Sequence, residues 1–205
     1  MLTALLCLGA VLLDQRWGEP RCWHPLVGFG DLARRVEALL YGPPEFNEAV
    51  RRTRGVVALI LLLVPLTVAA ALLAWLPLVG VIVALGLLYL AIGARSLVEH
   101  AQAVAAALDA GDLPLARKKV AMIVSRDTDA LDEEGISRAT VESVLENGCD
   151  AIFGALFWFV VAGAPGVVLY RLANTLDAMW GYRNARYIHF GWAAARLDDL
   201  LNWLP

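Results

Sequence analysis

Residues 56–94, VVALILLLVPLTVAAALLAWLPLVGVIVALGLLYLAIGA, hold two long apolar runs without a charged side chain. The first run, 56–75, has about 20 residues and the second, 78–94, about 17, which is close to the length that a helix needs to cross a bilayer. Pro65 is tolerated inside the first run, because neighbouring helices can satisfy the carbonyl that it leaves free. The stretch therefore predicts a transmembrane helical hairpin.

The composition of the whole chain agrees with a membrane protein. Of its 205 residues 60% are hydrophobic, and the mean hydropathy is +0.63, which exceeds the values typical of soluble domains. The net charge of -3 provides no basic field for nucleic acid, so nucleic-acid binding is not expected. Cys7, Cys22 and Cys149 have no CxxC spacing, which argues against a disulfide framework or a zinc site.

Basic residues flank the predicted hairpin on both sides. Arg51, Arg52 and Arg54 precede it and Arg95 follows it. Because cytoplasmic loops carry an excess of Lys and Arg, both ends of the hairpin are predicted to lie in the cytoplasm. No small-residue cleavage site follows the first apolar run, so the N-terminus is expected to be retained. We expect a multi-pass protein of the inner (cytoplasmic) membrane, in contact with the lipid bilayer, with its active-site motifs on the cytoplasmic side.

The segments outside the hairpin are shorter or more polar. Residues 2–13 form an apolar run of about 12 residues, which is too short to span a bilayer alone and which ends at Asp14. A loop rich in Gly and Pro follows, and a short helix is predicted over 31–40. After the hairpin, helices are predicted over 96–108 and 113–124.

The apolar segment 151–162 decides how the last part of the chain is placed. About 12 helical residues reach only about 18 Å, and Gly163, Pro165 and Gly166 then interrupt the helix. We interpret the segment as a re-entrant or buried hairpin, which returns the helix beginning near Tyr170 to the side of the acidic stretch before it.

The fold class predicted from these patterns is all-α: a polytopic integral membrane protein with a transmembrane helical hairpin, a re-entrant hairpin and cytoplasmic helices. A single membrane-embedded domain, 1–205, is expected. Its parts are an N-terminal helix with a motif loop, the transmembrane hairpin, cytoplasmic helices with an acidic motif, and the re-entrant hairpin with motif helices, over 1–50, 56–94, 96–150 and 151–205.

Residues 125–150, SRDTDALDEEGISRATVESVLENGCD, are dense in acids between apolar segments. A helix is predicted from Ser137 as N-cap. On it Glu142, Glu146 and Asp150 follow at i, i+4 and i+8, so one face carries oxygen ligands. Such oxygens suit Mg²⁺, and arginines suit phosphate. A solvated helix face with local ion pairs would explain the same spacing equally well.

Common catalytic motifs are absent from the sequence. It contains no GxSxG nucleophile motif and no GxxxxGK[ST] or GxGxxG loop. The remaining candidates for catalysis and binding are carboxylates, amides and arginines on helices beside the membrane. They favour chemistry with a Mg-nucleotide and a charged substrate over hydrolysis at a zinc or triad site.

Several short motifs follow one another along the chain. They are Asp14 with Gly18-Glu19-Pro20 and His24-Pro25, SRDT at 125–128, RATVES at 138–143 with Glu146, Asn147 and Asp150, GAPG at 163–166, YRLANTLDAMWGY at 170–182, and FGWAAARLDDLLN at 190–202. Together they resemble the CobD/CbiB family, the adenosylcobinamide-phosphate synthases of cobalamin biosynthesis. The resemblance covers essentially the whole chain. Family members usually continue into further hydrophobic helices, so this chain is expected to be a fragment or a truncated form.

The resemblance implies ATP-dependent amide synthesis. Family members join a propionate carboxylate of adenosylcobyric acid to the amine of (R)-1-aminopropan-2-ol or its O-phosphate. The implied substrates are thus a corrinoid and a small amine, with ATP as co-substrate and Mg²⁺ as its metal. A homo-oligomer, or contacts with other membrane enzymes of the corrinoid pathway, are further expectations.

The resemblance also suggests roles for single residues. The expected catalytic carboxylates, of which the first three also hold Mg²⁺, are Glu142, Glu146, Asp150 and Asp177. The expected substrate- and phosphate-binding residues are Asp14, His24, Arg126, Asp127, Asn147, Arg171, Asn174, Arg196 and Asp199.

Each of these assignments has a purely structural alternative. Arg126 and Asp127 could cap and pair the start of a helix. His24 could orient its loop without touching a ligand. Arg196, Asp198 and Asp199 could form a structural set of ion pairs.

Two other classes of protein compete with an enzyme. A membrane sensor or regulator of the AmpE type would keep the hydrophobic hairpin but would not need carboxylates and amides that converge. A transporter subunit predicts charges inside the long spans, and 56–75 and 78–94 have none.

Overall fold

A computed structural model of the protein describes residues 1–20, 24–43 and 45–205, and the regular structure within these ranges is helical throughout. In chain order the helices are α1 (Leu2–Trp17), α2 (Pro25–Leu40), α3 (Glu48–Ala74), α4 (Val79–Ala91), α5 (Ala94–Asp109), α6 (Leu113–Val120), α7 (Glu133–Gly148), a π-helical turn (Cys149–Gly154), α8 (Ala155–Trp180), α9 (Tyr187–Phe190) and α10 (Trp192–Leu201). The all-α prediction is confirmed for this part of the chain. Cys22 lies outside it.

Among the described residues, three helical segments are long and apolar enough to cross a membrane: Glu48–Ala74, Val79–Asp109 and Glu133–Trp180. Many aliphatic side chains of α3 and α4 point outward, and Leu61 and Ile82 are 56% and 73% exposed. A continuous apolar surface of this kind is unfavourable in water and is typical of helices that face lipid. The segments support a multi-pass membrane protein.

The predicted hairpin corresponds to α3 and α4, but its second arm is shorter than expected. α3 begins after Asn47, whose side chain accepts a hydrogen bond from the amide of Val50 at 2.9 Å. It continues through Pro65. α4 ends at Ala91, and α5 begins only after a break at 92–93. The run 78–94 therefore contains α4 and the break before α5, within the segment Val79–Asp109 that is long and apolar enough to cross a membrane.

A contact between α1 and α5 explains this break. Asp14 is fully buried inside α1, and its Oδ2 accepts a hydrogen bond from the backbone amide of Arg95 at 2.9 Å. The Arg95 side chain in turn donates to the carbonyls of Gln15 and Arg16, at 3.3 and 2.9 Å. Each helix thus satisfies backbone groups that the end of the other leaves unpaired. α1 runs on to Trp17, beyond the end of the apolar run 2–13.

α2 starts earlier than the predicted helix over 31–40. Its N-cap is His24, whose Nδ1 accepts a hydrogen bond from the amide of Leu26 at 3.2 Å. Pro25 occupies the first turn, where a missing N–H has no helical partner to lose. The helices predicted over 96–108 and 113–124 correspond to α5 and α6, although α6 ends at Val120.

The chain reverses direction at Gly163, within α8. This residue has φ 66° and ψ -150°, a combination that side chains other than glycine scarcely tolerate. The two arms then pack antiparallel. A Cβ on Gly166 would lie 2.4 Å from the carbonyl oxygen of Trp158, and the hydroxyl of Tyr170 lies against Gly154.

α10 packs across both arms of this hairpin. The indole N–H of Trp158, on the first arm, donates to the carbonyl of Leu201 at 2.9 Å. The hydroxyl of Tyr170, on the second arm, donates to Oδ1 of Asn202 at 2.6 Å. α10 therefore holds the arms together and brings its own polar residues next to them.

The buried apolar side chains form two clusters. The larger joins α1–α4 with α8–α10 and includes Tyr170, Trp180 and Phe190. The smaller lies between α5, α6 and α7 and includes Val104 and Ile136. The site described next lies where α7 leaves the smaller cluster and continues into the larger one.

Candidate functional site

The acidic helix α7 begins earlier than predicted. Its N-cap is Asp132, whose Oδ1 accepts a hydrogen bond from the amide of Gly135 at 2.8 Å, and Ser137 lies within the helix. Acidic Glu133 and Glu134 occupy the first turn, where they interact favourably with the helix dipole. The prediction of Ser137 as N-cap is therefore wrong, because an equally good cap precedes it.

The helix changes its geometry where it reaches Asp150. This residue lies in the π-helical turn Cys149–Gly154, between α7 and α8. Such wide turns are rare and are frequent at functional sites. Glu146 and Glu142 lie one and two turns earlier on the same face.

An open cavity of about 540 Å³ lies between α7, the strip 123–126 and α8; we refer to it as the acidic cavity. The sequence-predicted site residues that line it are Arg126, Glu142, Glu146, Asn147, Asp150, Asn174 and Asp177. The structure thus brings residues of α7 and of the second α8 arm to one place.

Asn174 is the centre of the hydrogen bonds beside this cavity. Its Nδ2 donates to Oδ2 of Asp150 at 3.0 Å and to Oδ1 of Asp198 at 3.4 Å. Its Oδ1 accepts a hydrogen bond from Nη1 of Arg171 at 3.4 Å. Asp198 also accepts a hydrogen bond from Nδ2 of Asn202 at 3.0 Å. One amide therefore holds two carboxylates close together.

The surroundings of Asp198 disfavour the ionised form of its carboxyl group. Its pKa is raised to about 6, chiefly because burial disfavours the charged form and further because Asp177 and Asp150 add negative charge nearby. The hydrogen bonds from Asn174 and Asn202 act in the opposite direction. Burial and the neighbouring carboxylates thus outweigh the two amide donors, and no Lys, Arg or His among the described residues pairs with Asp198.

The other predicted residues near the cavity have protein partners. Arg126 forms an exposed ion pair with Glu142, with Nη2 2.7 Å from Oε2. Oδ1 of Asp127 accepts a hydrogen bond from the amide of Asp129 at 2.9 Å, which fixes a turn. Nδ2 of Asn147 donates to the carbonyl of Ser143 at 2.8 Å.

Some predicted site residues lie apart from the acidic cavity. Arg196 and Asp199 form an exposed ion pair with a distance of 3.6 Å. Asp14 is buried in its contact with Arg95. His24 caps α2, and burial lowers the pKa of its ring. These four residues lie where they can support the fold.

A second cavity, of about 350 Å³, adjoins the acidic one. Glu19, His100 and Arg171 line it, and Asn147 with the strip 123–125 lines both cavities; we refer to it as the Glu19 cavity. The Nε of Arg171 is buried and has no hydrogen-bond partner among the described residues.

A metal could be held only in part by the protein. Among the described residues, no three His, Cys, Asp or Glu side chains are grouped closely enough to hold a metal ion. Mg²⁺ commonly keeps several waters and binds through one or two carboxylates together with substrate phosphates. The surplus negative charge around Asp150 and Asp198 fits such a shared ion. The assignment of three carboxylates to one ion stays a prediction.

The predicted list of site residues missed Asp198, Asn202 and Glu19. Asp198 lies on α10 and Asn202, at i+4, caps its end, and the same helical spacing that identified the α7 face could have paired them. Glu19 follows the positive-φ residue Gly18 in the loop after α1. Its relation to Arg171 depends on tertiary packing, for which the sequence carries no signal.

The fold and the site define a class of protein: an all-helical protein with long apolar helices and an acid-lined cavity between α7 and the returning arm of α8. A family model described as CobD/Cbib protein matches residues 7–205. The chain therefore belongs to the CobD/CbiB family.

Curated relatives match over nearly the whole chain. A cobalamin biosynthesis protein CobD from Chromobacterium violaceum is 62% identical over 207 residues, which cover 100% of this chain and 66% of the relative. One of the same name from Stutzerimonas stutzeri is 61% identical over 98% of this chain and 65% of the relative. The chain thus spans slightly less than two thirds of their length. No solved structure matches.

Proposed function

We propose that this protein forms an amide bond in cobalamin biosynthesis, joining adenosylcobyric acid to (R)-1-aminopropan-2-ol or its O-phosphate with ATP. Membership of the CobD/CbiB family and the names of the relatives support the pathway. The observation that carries the proposal is the pair Asp150 and Asp198, held on the single amide of Asn174 beside an open cavity.

The proposed reaction has two steps. A carboxylate oxygen of the corrinoid attacks the γ-phosphorus of ATP, which gives an acyl phosphate and ADP. The amine nitrogen then attacks the acyl carbon, the bond from that carbon to the phosphate oxygen breaks, phosphate leaves and the nitrogen loses a proton. Arg126 would neutralise charge on the phosphate transferred from the nucleotide, and Asn147 and Asn174 would orient the substrates.

Mg²⁺ would be held by Asp150 and Glu146, with Glu142 and Asp177 within the same cavity. When bound, the ion neutralises charge on the nucleotide phosphates and makes the γ-phosphorus easier to attack. The closeness of Asp150 and Asp177 to Asp198 supports this assignment, because a nearby cation would relieve the repulsion among the carboxylates.

We further propose that the two arms on either side of Gly163 form a re-entrant hairpin. They would enter the bilayer from the cytoplasmic side and return, so that Asp150 and Asn174 meet at its polar end. The reversal at Gly163 and the apolar composition of the arms support this arrangement. The basic residues before α3 favour the cytoplasmic side for the site.

An assay of the purified, detergent-solubilised protein tests the function. Adenosylcobyric acid, Mg-ATP and aminopropanol phosphate are supplied, and corrinoid product and ADP are followed together by mass and by coupled detection. We expect both from the wild type, little of either from Glu146→Gln, and wild-type amounts from Glu133→Gln, which alters an exposed acid at the start of α7. Amide formed without a stoichiometric amount of ADP would contradict the acyl-phosphate route.

The same assay addresses the competing regulator. A protein that binds neither corrinoid nor nucleotide, and that forms no product, would favour a membrane sensor over an amide synthase. Binding of both without turnover would contradict the proposed reaction for these 205 residues but not the site.

A further inference from the structure

The Glu19 cavity has walls from distant parts of the chain. Glu19 lies in the loop after α1, Gly93 marks the break before α5, and Arg171 lies on the second arm of α8. Ser125 and Asn147 separate this cavity from the acidic one. The two cavities are therefore neighbours with a shared wall.

Two opposite charges face this cavity without neutralising each other directly. Among the residues that the structure describes, neither Glu19 nor Arg171 has an oppositely charged side chain within ion-pair distance. They are close enough for their charges to interact. The buried Nε of Arg171 has no hydrogen-bond partner in the described part of the chain. Its guanidinium donates a hydrogen bond from Nη1 to Asn174, so Arg171 could accept a further, anionic partner.

The position of Glu19 is fixed by the backbone around it. A Cβ on Gly93 would lie 2.7 Å from Oε1 of Glu19, so the carboxylate rests directly on the backbone at the break before α5. The hydroxyl of Tyr89 donates to the carbonyl of Gly18 at 2.6 Å. The contact between Asp14 and Arg95 joins α1 to α5 at the same place. Glu19 is thus held over the cavity rather than left free in a loop.

We propose that the Glu19 cavity binds a small molecule with a protonated amine at one end and a phosphate at the other. Glu19 binds the amine, and the guanidinium of Arg171 binds the phosphate. A cavity of about 350 Å³ accommodates a molecule of this size. The inference rests on the proposed function and deepens it, because it assigns the amine substrate, in its phosphorylated form, to a cavity separate from the one that takes the nucleotide.

Binding measurements without ATP or corrinoid test this inference. Aminopropanol phosphate, aminopropanol and inorganic phosphate are titrated separately into the detergent-solubilised protein by calorimetry. We expect the phosphorylated amine to bind at least about tenfold more tightly than either fragment, since both charges are then matched. Equal affinity for aminopropanol and its phosphate would contradict a role of Arg171 in phosphate binding.

Single-residue variants then show which residue binds each end of the ligand. Arg171→Gln should weaken the phosphate compound by about tenfold or more and leave aminopropanol nearly unchanged, and Glu19→Gln should weaken both amines. Glu146→Gln should weaken Mg-ATP only. Arg35→Gln and Glu133→Gln, at exposed positions, are the matched controls.

Gly93→Ala keeps the inference testable if Arg171→Gln does not fold. The added methyl group must displace the Glu19 carboxylate, so we expect weaker amine binding with no change of charge. Wild-type affinity in both Glu19→Gln and Gly93→Ala would overturn the inference, and so would an absence of amine binding in the wild type.

The inference and the proposed function can fail separately. Amine phosphate binding that depends on Glu19 and Arg171, without any amide product, would support the cavity and contradict the reaction. Amide product formed with unchanged amine affinity in the variants would support the reaction and overturn the cavity assignment.

Discussion

Glu37 and Asp198 are both carboxylates withdrawn from solvent, but their surroundings differ. Oε2 of Glu37 accepts a hydrogen bond from the indole of Trp180 at 3.1 Å. Its Oε1 accepts hydrogen bonds from Nε and Nη2 of Arg186, at 3.0 and 2.7 Å, and from the hydroxyl of Tyr187 at 3.2 Å. Glu37 thus has a cationic partner and two neutral donors, all from the protein.

Asp198 has no such cationic partner among the described residues. It shares the amide of Asn174 with Asp150, and it has further negative charge nearby. The number of acidic residues alone therefore does not identify a functional site. A carboxylate with a cationic partner joins elements of the fold, whereas a cluster of carboxylates without one is a candidate site for a cationic ligand.

The largest expected effect is on turnover when a carboxylate of the acidic cavity is removed. Asp150→Asn should lower the rate of amide formation by roughly 100- to 1,000-fold, because one fewer negative group faces the metal and phosphates. The unfolding temperature in detergent should not fall, since repulsion within the cluster decreases. A variant that is both inactive and strongly destabilised would show that Asp150, like Glu37, stabilises the fold.

The next effect is on stability at the compensated carboxylate. Glu37→Ala should lower the free energy of unfolding by about 2–3 kcal/mol, because it leaves the buried indole N–H of Trp180 without an acceptor and Arg186 without its partner. Denaturation of the purified protein in detergent measures this. Nucleotide affinity per folded molecule should match the wild type, and a selective loss of that affinity would place Glu37 with the site.

A moderate effect is expected from pH. Since the pKa of Asp198 in the folded protein is raised to about 6, this carboxyl binds a proton more tightly in the folded than in the unfolded state, where it titrates near 4. Its destabilising contribution is fully present above about pH 6 and fades as the pH falls toward about 4.

Melting curves between about pH 5 and 7 measure this contribution. The wild type should gain stability relative to Asp198→Asn as the pH falls. Mg-ATP should reduce the difference, because a bound cation favours the ionised carboxyl. Parallel curves for the two proteins, with and without Mg-ATP, would contradict an excess of charge at Asp198.

The smallest effect is expected at the exposed pair of α10. Arg196→Ala should change the free energy of unfolding by about 0.5 kcal/mol or less, as exposed ion pairs contribute little. Amide formation should stay within about twofold of the wild type. A larger loss of activity with unchanged stability would restore Arg196 to the substrate-binding residues that the sequence predicted.

Sequence-based predictions were accurate where the signal is local, and they failed where a feature depends on residues far apart in the sequence. The α7 face was predictable because Glu142, Glu146 and Asp150 share a helical period that is local. The interruption near Gly163 was signalled by Gly and Pro. The break at Gly93 was not signalled, since it lies in an apolar run and depends on a carboxylate from α1.

Helix starts were the least accurate part of the local prediction. His24-Pro25 is a recognisable start, yet Gly28 and Gly30 suggested a loop, and α2 continues through both. The partners of Glu37 lie about 150 positions further along the chain. No periodicity reports pairings of that range, so the distinction between Glu37 and Asp198 required the tertiary structure.

The antiparallel arms at Gly163 also determine which changes of chain length the site can accept. Asp150 lies opposite Asn174, Gly154 opposite Tyr170, and Trp158 opposite Gly166. One residue inserted in either arm would rotate everything beyond it by about 100° and shift it by about 1.5 Å. It would thereby separate Asp150 from Asn174 while leaving every side chain of the cavity chemically intact. The number of residues in the apolar arms, and not only their identity, therefore sets the alignment of polar groups at the far end.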